Sequence, residues 1–320
     1  MEKQRQVRIE IMDTTLRDGE QTSGVSFLPH EKLLIARMLL DEVKVDRVEV
    51  GSARVSEGEK DAVKMICRAA EEKGNINRVE VLGFVDGGVS LDWIKECGCK
   101  NINLLCKGSL KHCTDQLQKT PEEHIADIKK ELDYADKLGI SVNVYLEDWS
   151  NGIKDSPEYV YQMMDALVQT NVKRFMLPDT LGVMNPHLVE VYMGDMVRRY
   201  PDVHFDFHPH NDYDMAVGDA FEAVRMGVKG IHVTVNGLGE RCGNAPLASV
   251  QVMIKDHFGY KTQINESKLN LISKLVESYS TIAIAPNQPI VGDSVFTQVA
   301  GVHADGDRKN NLYANALLPE

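Results

Sequence analysis

The chain has 320 residues, a hydrophobic fraction of 43% and a formal net charge of −12 at pH 7. This length suits either two average domains or one large α/β barrel with a sizeable core. The acidic balance argues against a sequence-independent nucleic-acid binder, which needs a basic surface, but it is compatible with a locally basic pocket for a phosphorylated cofactor.

The cysteines and the N-terminus indicate the compartment. The six cysteines lack zinc-finger spacing, and Cys97-Gly98-Cys99 is one residue too short for the usual redox pair. We therefore expect free thiols in a reducing compartment rather than a disulfide framework. The polar N-terminus has no apolar segment behind it, and no apolar run approaches the roughly 20 residues of a spanning helix. The sequence predicts a cytoplasmic protein with no membrane partner.

Short apolar runs alternate with longer helical patterns along most of the chain. The predicted strands span residues 7–12, 47–51, 78–84, 101–105, 141–146, 174–177, 204–207 and 230–235. The predicted helices span residues 29–43, 57–70, 89–97, 121–138, 156–170, 186–199, 215–226 and 248–258.

Eight strand-helix units over about 250 residues predict an α/β fold, and they match a closed (β/α)8 TIM barrel better than an open doubly wound sheet. No Gly-x-Gly-x-x-Gly follows the first strand, so a dinucleotide fold loses its main support. We assign residues 1–280 to the catalytic barrel. Residues 281–320 are expected to form a short C-terminal extension, the start of a linker or subdomain.

Polar residues recur where the predicted strands end, which is where the active sites of α/β barrels lie. Six strands contribute them, and this convergence is hard to explain as surface decoration. The residues are Asp13, Arg17, Asp18, Glu49, Ser52, Glu147, Asp148, Asp179, Thr180, His208, His210 and Asn236.

The His-x-His pair after the seventh strand predicts a metal site. A strand repeats every two residues, so His208 and His210 share one face and can meet one ion. Asp18 is the natural third ligand, because a carboxylate beside two imidazoles suits zinc, manganese or iron(II). In isolation such a pair is more often two packed or exposed histidines, but its place at a barrel-strand end favours a metal.

Arg17 precedes the carboxylate ligand directly, where its fixed charge could stabilise an enolate or an alkoxide. It could also form a salt bridge with Glu49, which would orient the guanidinium. Glu147 is a candidate general base or base-orienting group, with a structural role as the alternative. His303 lies in a late segment that we expect to be a polar loop, where a histidine is by itself more often a surface residue.

Two segments are expected to be loops over the mouth of the barrel, Ser150-Asn151-Gly152 and Gly237-Leu238-Gly239. The second opens a glycine-rich turn that runs to Asn244 and could approach a ligand closely. It lacks the Gly-Lys-Ser/Thr of a phosphate-binding loop, so simple turn chemistry is the alternative.

Four motifs together resemble a known family. They are Asp-Thr-Thr-Leu-Arg-Asp-Gly-Glu-Gln at 13–21, His-x-His-Asn-Asp at 208–212, Gly-Leu-Gly-Glu-Arg-x-Gly-Asn at 237–244 and Gly-Val-His-Ala-Asp-Gly at 301–306. The family is the Claisen-condensing metal-dependent TIM barrels, which comprises the isopropylmalate, homocitrate and citramalate synthases, with hydroxymethylglutaryl-CoA lyase as a relative. The resemblance covers the whole chain. Segments 81–87 and 145–152 make it strongest to the citramalate-forming branch.

The resemblance implies a reaction and roles for the site residues. Asp18, His208 and His210 would bind a divalent metal, either zinc or manganese, or else magnesium, with Asn244 as a further ligand or supporting group. A 2-oxo acid would chelate this ion, with Thr180 holding its carboxylate. Acetyl-CoA, the co-substrate, would lose a methyl proton to a base supported by Glu147 and His303. Arg17, oriented by Glu49, would steady the oxyanion, and thioester hydrolysis would release CoA.

The resemblance also implies the substrate. Leu82, Leu105 and Tyr145 resemble the small apolar pocket for the methyl group of pyruvate, whereas isopropylmalate synthases, the alternative, need room for an isopropyl group. A few methylenes are worth only ~1 to 3 kcal/mol in such a pocket, so side activity toward larger 2-oxo acids is expected. Trp149 departs from the Glu-Asp-Ala start common in isopropylmalate synthases. A lyase and a non-catalytic metal-binding barrel are further alternatives.

Relatives in this family usually continue into a regulatory domain that binds the end-product amino acid, and we expect that domain to be absent from these 320 residues. Segments near Leu312 and Tyr313 lie close to a dimer partner's active site in the family, so these two residues would contact substrate and the protein is expected to be a homodimer. The partners implied are acetyl-CoA and pyruvate or another small 2-oxo acid, with no nucleic acid.

Overall fold

The computed structural model describes residues 7–313 and Leu317. It contains eight strands, β1 (Glu10–Asp13), β2 (Arg47–Ser52), β3 (Val79–Phe84), β4 (Asn101–Lys107), β5 (Ser141–Glu147), β6 (Phe175–Asp179), β7 (Phe205–Pro209) and β8 (Gly230–Val233). The helices are α1 (Pro29–Arg37), α2 (Glu57–Glu72), α3 (Val89–Glu96), α4 (Pro121–Leu138), α5 (Trp149–Asp155), α6 (Pro157–Leu167), α7 (Pro186–Arg199), α8 (Ala216–Met226), α9 (Leu247–Met253), α10 (Leu269–Ser280) and α11 (Gly301–Asn310).

The eight strands form a closed parallel barrel in which each strand pairs with its neighbours in sequence and β8 closes onto β1. Met12 of β1 pairs with His232 of β8, and Asp13 pairs with Val233. The expected (β/α)8 TIM barrel is therefore confirmed. All eight strands deliver their carboxyl ends to one mouth, which is where a barrel places its chemistry.

The helix ends follow local signals that are legible in the sequence. Thr120 caps α4, its hydroxyl accepts from the backbone N–H of Glu123, and the Glu123 carboxylate returns a bond to the Thr120 N–H. Pro121 occupies the first turn, where its missing N–H costs nothing, and Gly139 ends the helix in the left-handed conformation. The expected bounds 121–138 are those observed.

The segment after β5 departs from expectation. Trp149–Asp155 is a helix, although Ser150-Asn151-Gly152 was expected to be a loop. Trp149 and Ile153 lie one turn apart and are both buried. Because the helix has only seven residues, it offers too few positions for a helical repeat to be recognised. The mouth is thus flanked here by a packed helix.

Two helices near the C-terminus were also not expected. In α10, Leu269, Ile272 and Val276 are buried at helical spacing against the barrel. Residues 301–310 form α11, so His303 lies on a helix and the expectation of a polar loop was wrong. Among the described residues, no helix combines the length and apolar character needed to cross a membrane.

The barrel strands bury polar side chains as well as a small apolar cluster. The polar ones include Glu49, Asn103, Asn143, Asp206 and His232. Met12, Leu82, Tyr145 and Met176 form a small buried cluster separate from the main core, with Leu105 packed against it. The main core lies between the outer faces of the strands and the surrounding helices. The small cluster therefore forms part of the floor of the mouth.

Candidate active site

A cavity of about 370 Å³ opens at the carboxyl ends of the strands. Residues from all eight strands, or from the segments that follow them, line it. Its walls are formed by Arg17, Asp18, Gln21, Ser52, Val55, Leu82, Phe84, Leu105, Tyr145, Glu147, Pro178, Thr180, His208, His210 and Glu240.

Three of these side chains form a cluster that could hold a metal ion. One ligand atom from each of Asp18, His208 and His210 lies within 4.8 Å of the others, and all three residues are buried. The Oδ2 atom of Asp18 lies 2.9 Å from the Nε2 atom of His208 and 3.7 Å from that of His210. Carboxylate oxygen and imidazole nitrogen suit zinc, manganese or iron(II).

Unsatisfied buried atoms support a missing ligand at this point. Within the described residues, Asn244 Oδ1 is buried without a hydrogen-bond partner, and Asp18 Oδ2 is buried with only the two imidazoles beside it. A buried polar atom without a partner is costly, and a bound cation would satisfy both oxygens. The donor set therefore fits a divalent metal.

The electrostatics of the cluster keep its ligands in the forms that bind metals. Burial disfavours the charged Asp18 carboxylate, but the adjacent Arg17 guanidinium and the contact with His208 outweigh this and hold the pKa of Asp18 well below its usual range. Burial, with the nearby His208, lowers the pKa of His210 to about 4, so this imidazole is neutral at pH 7.

Asn244 is positioned by the glycine-rich turn after β8. Its side-chain amide donates to the carbonyl of Leu238 at 3.0 Å, and its backbone bridges to His210. Gly243 has a φ of 87°, and a Cβ there would lie 2.0 Å from the carbonyl oxygen of Gly237. The turn must therefore have glycine at this position, and it holds Asn244 beside the metal cluster.

Arg17 is fixed by buried acidic partners. Its Nε donates to Glu49 Oε2 at 2.6 Å, and its NH1 lies 3.5 Å from Asp18 Oδ2. Burial opposes the charge, but the Glu49 and Asp18 carboxylates raise the pKa of Arg17 above its already high value. Glu49 also accepts from Thr14 and from Asn103, so four polar groups hold the guanidinium in one orientation.

Glu147 and Thr180 lie across the cavity from the first strand. The Glu147 carboxylate pairs with Lys107 at the end of the adjacent strand β4. The Thr180 hydroxyl oxygen accepts from the backbone N–H of Asp148 at 2.9 Å, and its own proton remains available to a ligand. Both residues line the same cavity as the metal cluster.

Leu82, Leu105 and Tyr145 form the apolar part of the wall. Leu82 is 6% exposed and Tyr145 2%, so both side chains are held by close packing with their neighbours. The Tyr145 hydroxyl contacts His232 Nδ1 at 2.9 Å and accepts from Arg17 NH2 at 3.4 Å. Burial raises the pKa of Tyr145 well above its usual value, so the phenol keeps its proton.

Not every predicted site residue reaches the cavity. His303 stacks on Tyr313, with ring centroids 4.2 Å apart, and neither residue lines it. Leu312 is 65% exposed and also lies outside the lining. Asn236 turns away from the mouth, because its side-chain amide donates to the Ser273 carbonyl on α10. Glu49 is not part of the cavity wall and contacts Arg17 from behind it.

Sequence reasoning missed several polar residues inside the barrel. Asn103, Asp206 and His232 each occupy a buried position between two apolar residues of a strand. Because strand residues alternate between faces, a lone polar residue between apolar neighbours predicts a side chain that points into the barrel. Lys107 gave no such signal, since its partner Glu147 is 40 residues away.

Comparison with known proteins places this geometry in context. The HMGL-like family model matches residues 8–276. The chain is 35% identical to the (R)-citramalate synthase of Methanocaldococcus jannaschii, covering 98% of this chain and 62% of that protein. It is also 35% identical to the 2-isopropylmalate synthase of the same organism, covering 98% of this chain and 58% of that protein. The chain thus spans about three fifths of the length of these curated relatives.

Among solved structures, the HMG-CoA lyase of Bacillus subtilis superposes with a TM-score of 0.73 at 22% identity, covering 87% of this chain and 95% of that one. At this identity the likeness concerns the barrel alone. The site combines a neutral-imidazole and carboxylate cluster, a fixed guanidinium and an apolar wall, an arrangement that can bind an oxo acid and stabilise an oxyanion.

Proposed function

The chain belongs to the HMGL-like family, and from this we propose that it catalyses a Claisen condensation of acetyl-CoA with pyruvate and hydrolyses the thioester, giving (R)-citramalate and CoA. The observation that carries the proposal is the fixed Arg17 guanidinium beside the Asp18 and His208 cluster, in a cavity whose wall includes the apolar Tyr145 face. The enzyme would be an acyltransferase of branched-chain amino acid biosynthesis, working on the path to isoleucine.

Asp18, His208 and His210 would hold a divalent ion, zinc or manganese or else magnesium, with the Asn244 side-chain oxygen as a fourth ligand. When bound, the ion would polarise the keto group of the 2-oxo acid for attack. Thr180 would donate its free hydroxyl proton to the substrate carboxylate. These residues orient the acid so that its methyl group faces the apolar wall.

Arg17 would stabilise the alkoxide that forms when the acetyl carbanion adds to the ketone. Its Nε is committed to Glu49, and NH2, which makes only a long 3.4 Å contact with the Tyr145 hydroxyl, would donate to the alkoxide. A guanidinium that is already oriented and desolvated stabilises developing charge without reorganisation. Glu49 is in this sense a positioning residue.

Glu147 would support removal of a methyl proton from acetyl-CoA. Its ion pair with Lys107 would hold the carboxylate in one orientation at the cavity wall. His303 would complete the base from a second copy of the chain, because in this protomer it lies outside the cavity lining. Water would then hydrolyse the citramalyl thioester, which releases CoA.

The protein would therefore act as a homodimer. The region around α11 exposes apolar side chains, with Val299 94% and Val302 68% accessible, and Leu312 and Tyr313 lie beside them. An exposed apolar segment of this kind indicates a partner surface. We propose that residues 281–320 are the start of a linker or C-terminal subdomain whose described part reaches the partner's mouth, while residues 1–280 form the catalytic barrel.

The test is CoA release measured with thiol reagent on a panel of 2-oxo acids in the presence of zinc or manganese. Pyruvate is expected to have the highest kcat/KM, because its methyl group would meet the apolar wall formed by Leu82, Leu105 and Tyr145. A clear preference for 2-oxoisovalerate would instead make the protein a 2-isopropylmalate synthase, which the equal identity to both relatives keeps as the second candidate.

Two other outcomes would reject the synthase altogether. Formation of acetyl-CoA from a hydroxyacyl thioester, with no CoA release from the condensation mixture, would indicate a lyase. Metal binding without turnover on any oxo acid or thioester would indicate a non-catalytic barrel.

A further inference from the structure

A buried chain of polar contacts runs beneath the metal cluster, and none of its lower members has a role in the proposed reaction. At its centre is His232 on β8, which is 1% exposed. His232 Nε2 lies 3.1 Å from Asp206 Oδ2, and His232 Nδ1 lies 3.3 Å from His208 Nδ1. The Tyr145 hydroxyl is 2.9 Å from the same Nδ1 atom.

The lower end of this chain fixes the proton on His232. Asp206 is buried in contact with Arg47, whose guanidinium keeps the carboxylate ionised and therefore able only to accept. The imidazole nitrogen that faces it must carry a proton. His232 thus donates from Nε2, and its Nδ1 is free to accept.

His208, at the upper end of this chain, requires an acceptor at His232 Nδ1. His208 directs Nε2 toward Asp18, so that atom is the one that would ligate the metal and must have a free lone pair. With a metal bound to Nε2, the remaining ring proton of His208 would sit on Nδ1, which faces His232. With a metal on His208 Nε2, this assignment lets His208 Nδ1 donate to His232 Nδ1 while His232 Nε2 donates to Asp206.

We propose that His232 is a positioning residue for the metal centre: its Nδ1 accepts from His208 and from the Tyr145 hydroxyl, and so sets both the tautomer of the ligand and the orientation of the phenol in the substrate pocket. The inference rests on the metal site of the proposed function. Groups behind a ligating histidine fix its ring and raise its basicity, and their loss typically weakens metal binding 10- to 100-fold.

His232 also links the two halves of the site. One lone pair serves two donors, the metal ligand at 3.3 Å and the pocket wall at 2.9 Å. The orientation of the Tyr145 ring is therefore coupled to that of His208, although the two residues are 63 positions apart (208 − 145). The tautomer of a single buried imidazole would thus align the metal and the apolar wall.

The experiment measures Zn²⁺ affinity of the chelator-stripped protein by competition with a chromophoric chelator. His232→Leu removes the acceptor and is expected to raise the Kd for Zn²⁺ about 10- to 100-fold. His232→Asn places an amide oxygen near the former Nδ1 position and is expected to restore the Kd to within about threefold. His204→Gln is the matched control, because His204 contacts the other oxygen of Asp206 from below and does not touch the cluster.

Equal weakening by the Leu and Asn variants would reduce His232 to a packing residue, and wild-type affinity in the Leu variant would remove it from the metal centre. If the Leu variant does not fold, ¹⁵N-histidine NMR of the Zn²⁺-loaded wild type decides: a proton on His208 Nδ1 and on His232 Nε2 supports the proposal, and a proton on His232 Nδ1 instead overturns it. Absence of Zn²⁺ binding by the wild type would contradict the metal site of the proposed function. That result differs from failure of the His232 proposal, in which the wild type binds Zn²⁺ and the variants do not behave as expected.

Discussion

Arg17 and Asp18 show how two consecutive residues divide the tasks of one site. The backbone after β1 turns so that Asp18 points to the imidazoles while Arg17 reaches Glu49. The two side chains remain 3.5 Å apart, close enough for the guanidinium to keep the carboxylate ionised. The pair is thereby both a ligand and a charge stabiliser.

We predict that Arg17→Gln lowers kcat by about 10²- to 10³-fold, the loss expected when one preorganised oxyanion donor is removed. Glutamine can still hydrogen-bond Glu49, so the fold and Zn²⁺ affinity should change little. Steady-state CoA release and the chelator competition measure the two effects separately.

The control for this change is Arg54→Gln, which removes a half-exposed arginine paired with Asp86. Its kcat is expected to stay near the wild-type value. If both variants lose activity to the same extent, general charge at the mouth and not the Arg17 geometry would be responsible.

Single residues differ in how visible their role is in the sequence. His208 and His210 are two positions apart, and the strand repeat alone predicted that they share a face. His232 touches His208 across 24 residues, and Tyr145 across 87, so its function depends on strand register. Spacing in the chain carries no information about such partners.

Helix α5 packs beside the mouth of the barrel but contributes no residue to the cavity wall. Gly152 packs against the segment that follows β4, and a Cβ there would lie 2.0 Å from the carbonyl oxygen of Gly108. This close approach holds α5 against the residues that directly follow Lys107. The glycine that suggested a loop is in fact required by close packing.

We predict that Gly152→Ala destabilises the protein by about 1 to 3 kcal/mol, because the new methyl group meets backbone that cannot move aside. The free energy of unfolding in urea is the measurement. Gly58→Ala is the control, since that helical position has only an ordinary contact at 3.8 Å to Ser56, and alanine is expected to stabilise there by up to about 1 kcal/mol. Equal effects at the two positions would contradict the packing argument.

Helix α4 is tied to β4 by a buried histidine. The Lys107 N–H donates to His124 Nε2 at 3.0 Å, and burial, with nearby Lys119, lowers the pKa of His124 to about 4. The neutral ring is the form that accepts this bond. The pKa of histidine in the unfolded chain is near 6.5. The contribution of neutral His124 to the free energy of unfolding is therefore complete above pH 6.5 and is lost as the pH falls toward 4.

We predict that between pH 7 and pH 5 the wild type loses about 2 kcal/mol more unfolding free energy than His124→Gln, whose amide oxygen accepts without titrating. Urea titrations at the two pH values for both proteins provide the comparison. Parallel losses in the two proteins would show that His124 does not contribute to the acid sensitivity.

The closed barrel brings the residues of the separate sequence motifs together at one cavity. Residues from β1, β5, β6 and β7 or the segments after them, far apart in the chain, line the same cavity. The cluster of buried unpaired oxygens at the mouth is a cost that a metal ion would offset.

We predict that Zn²⁺ at a hundred times its Kd stabilises the chelator-stripped protein by about 2.7 kcal/mol against thermal or urea unfolding. His210→Ala should lose most of this response, because it removes one of the clustered ligands. His187→Ala, an exposed histidine on α7, should keep it. An undiminished response in His210→Ala would mean that zinc binds elsewhere.

The sequence by itself determined the barrel, because eight apolar runs alternating with helical patterns are local signals and parallel closure follows from their order. It also determined the metal triad, since strand ends converge in any such barrel. Only the tertiary structure decided that Asn236 turns outward, that residues 149–155 are helical and that His232 and Asp206 support the site. The physical reason is that burial and hydrogen-bond partners depend on register and packing between distant segments, which no local pattern specifies.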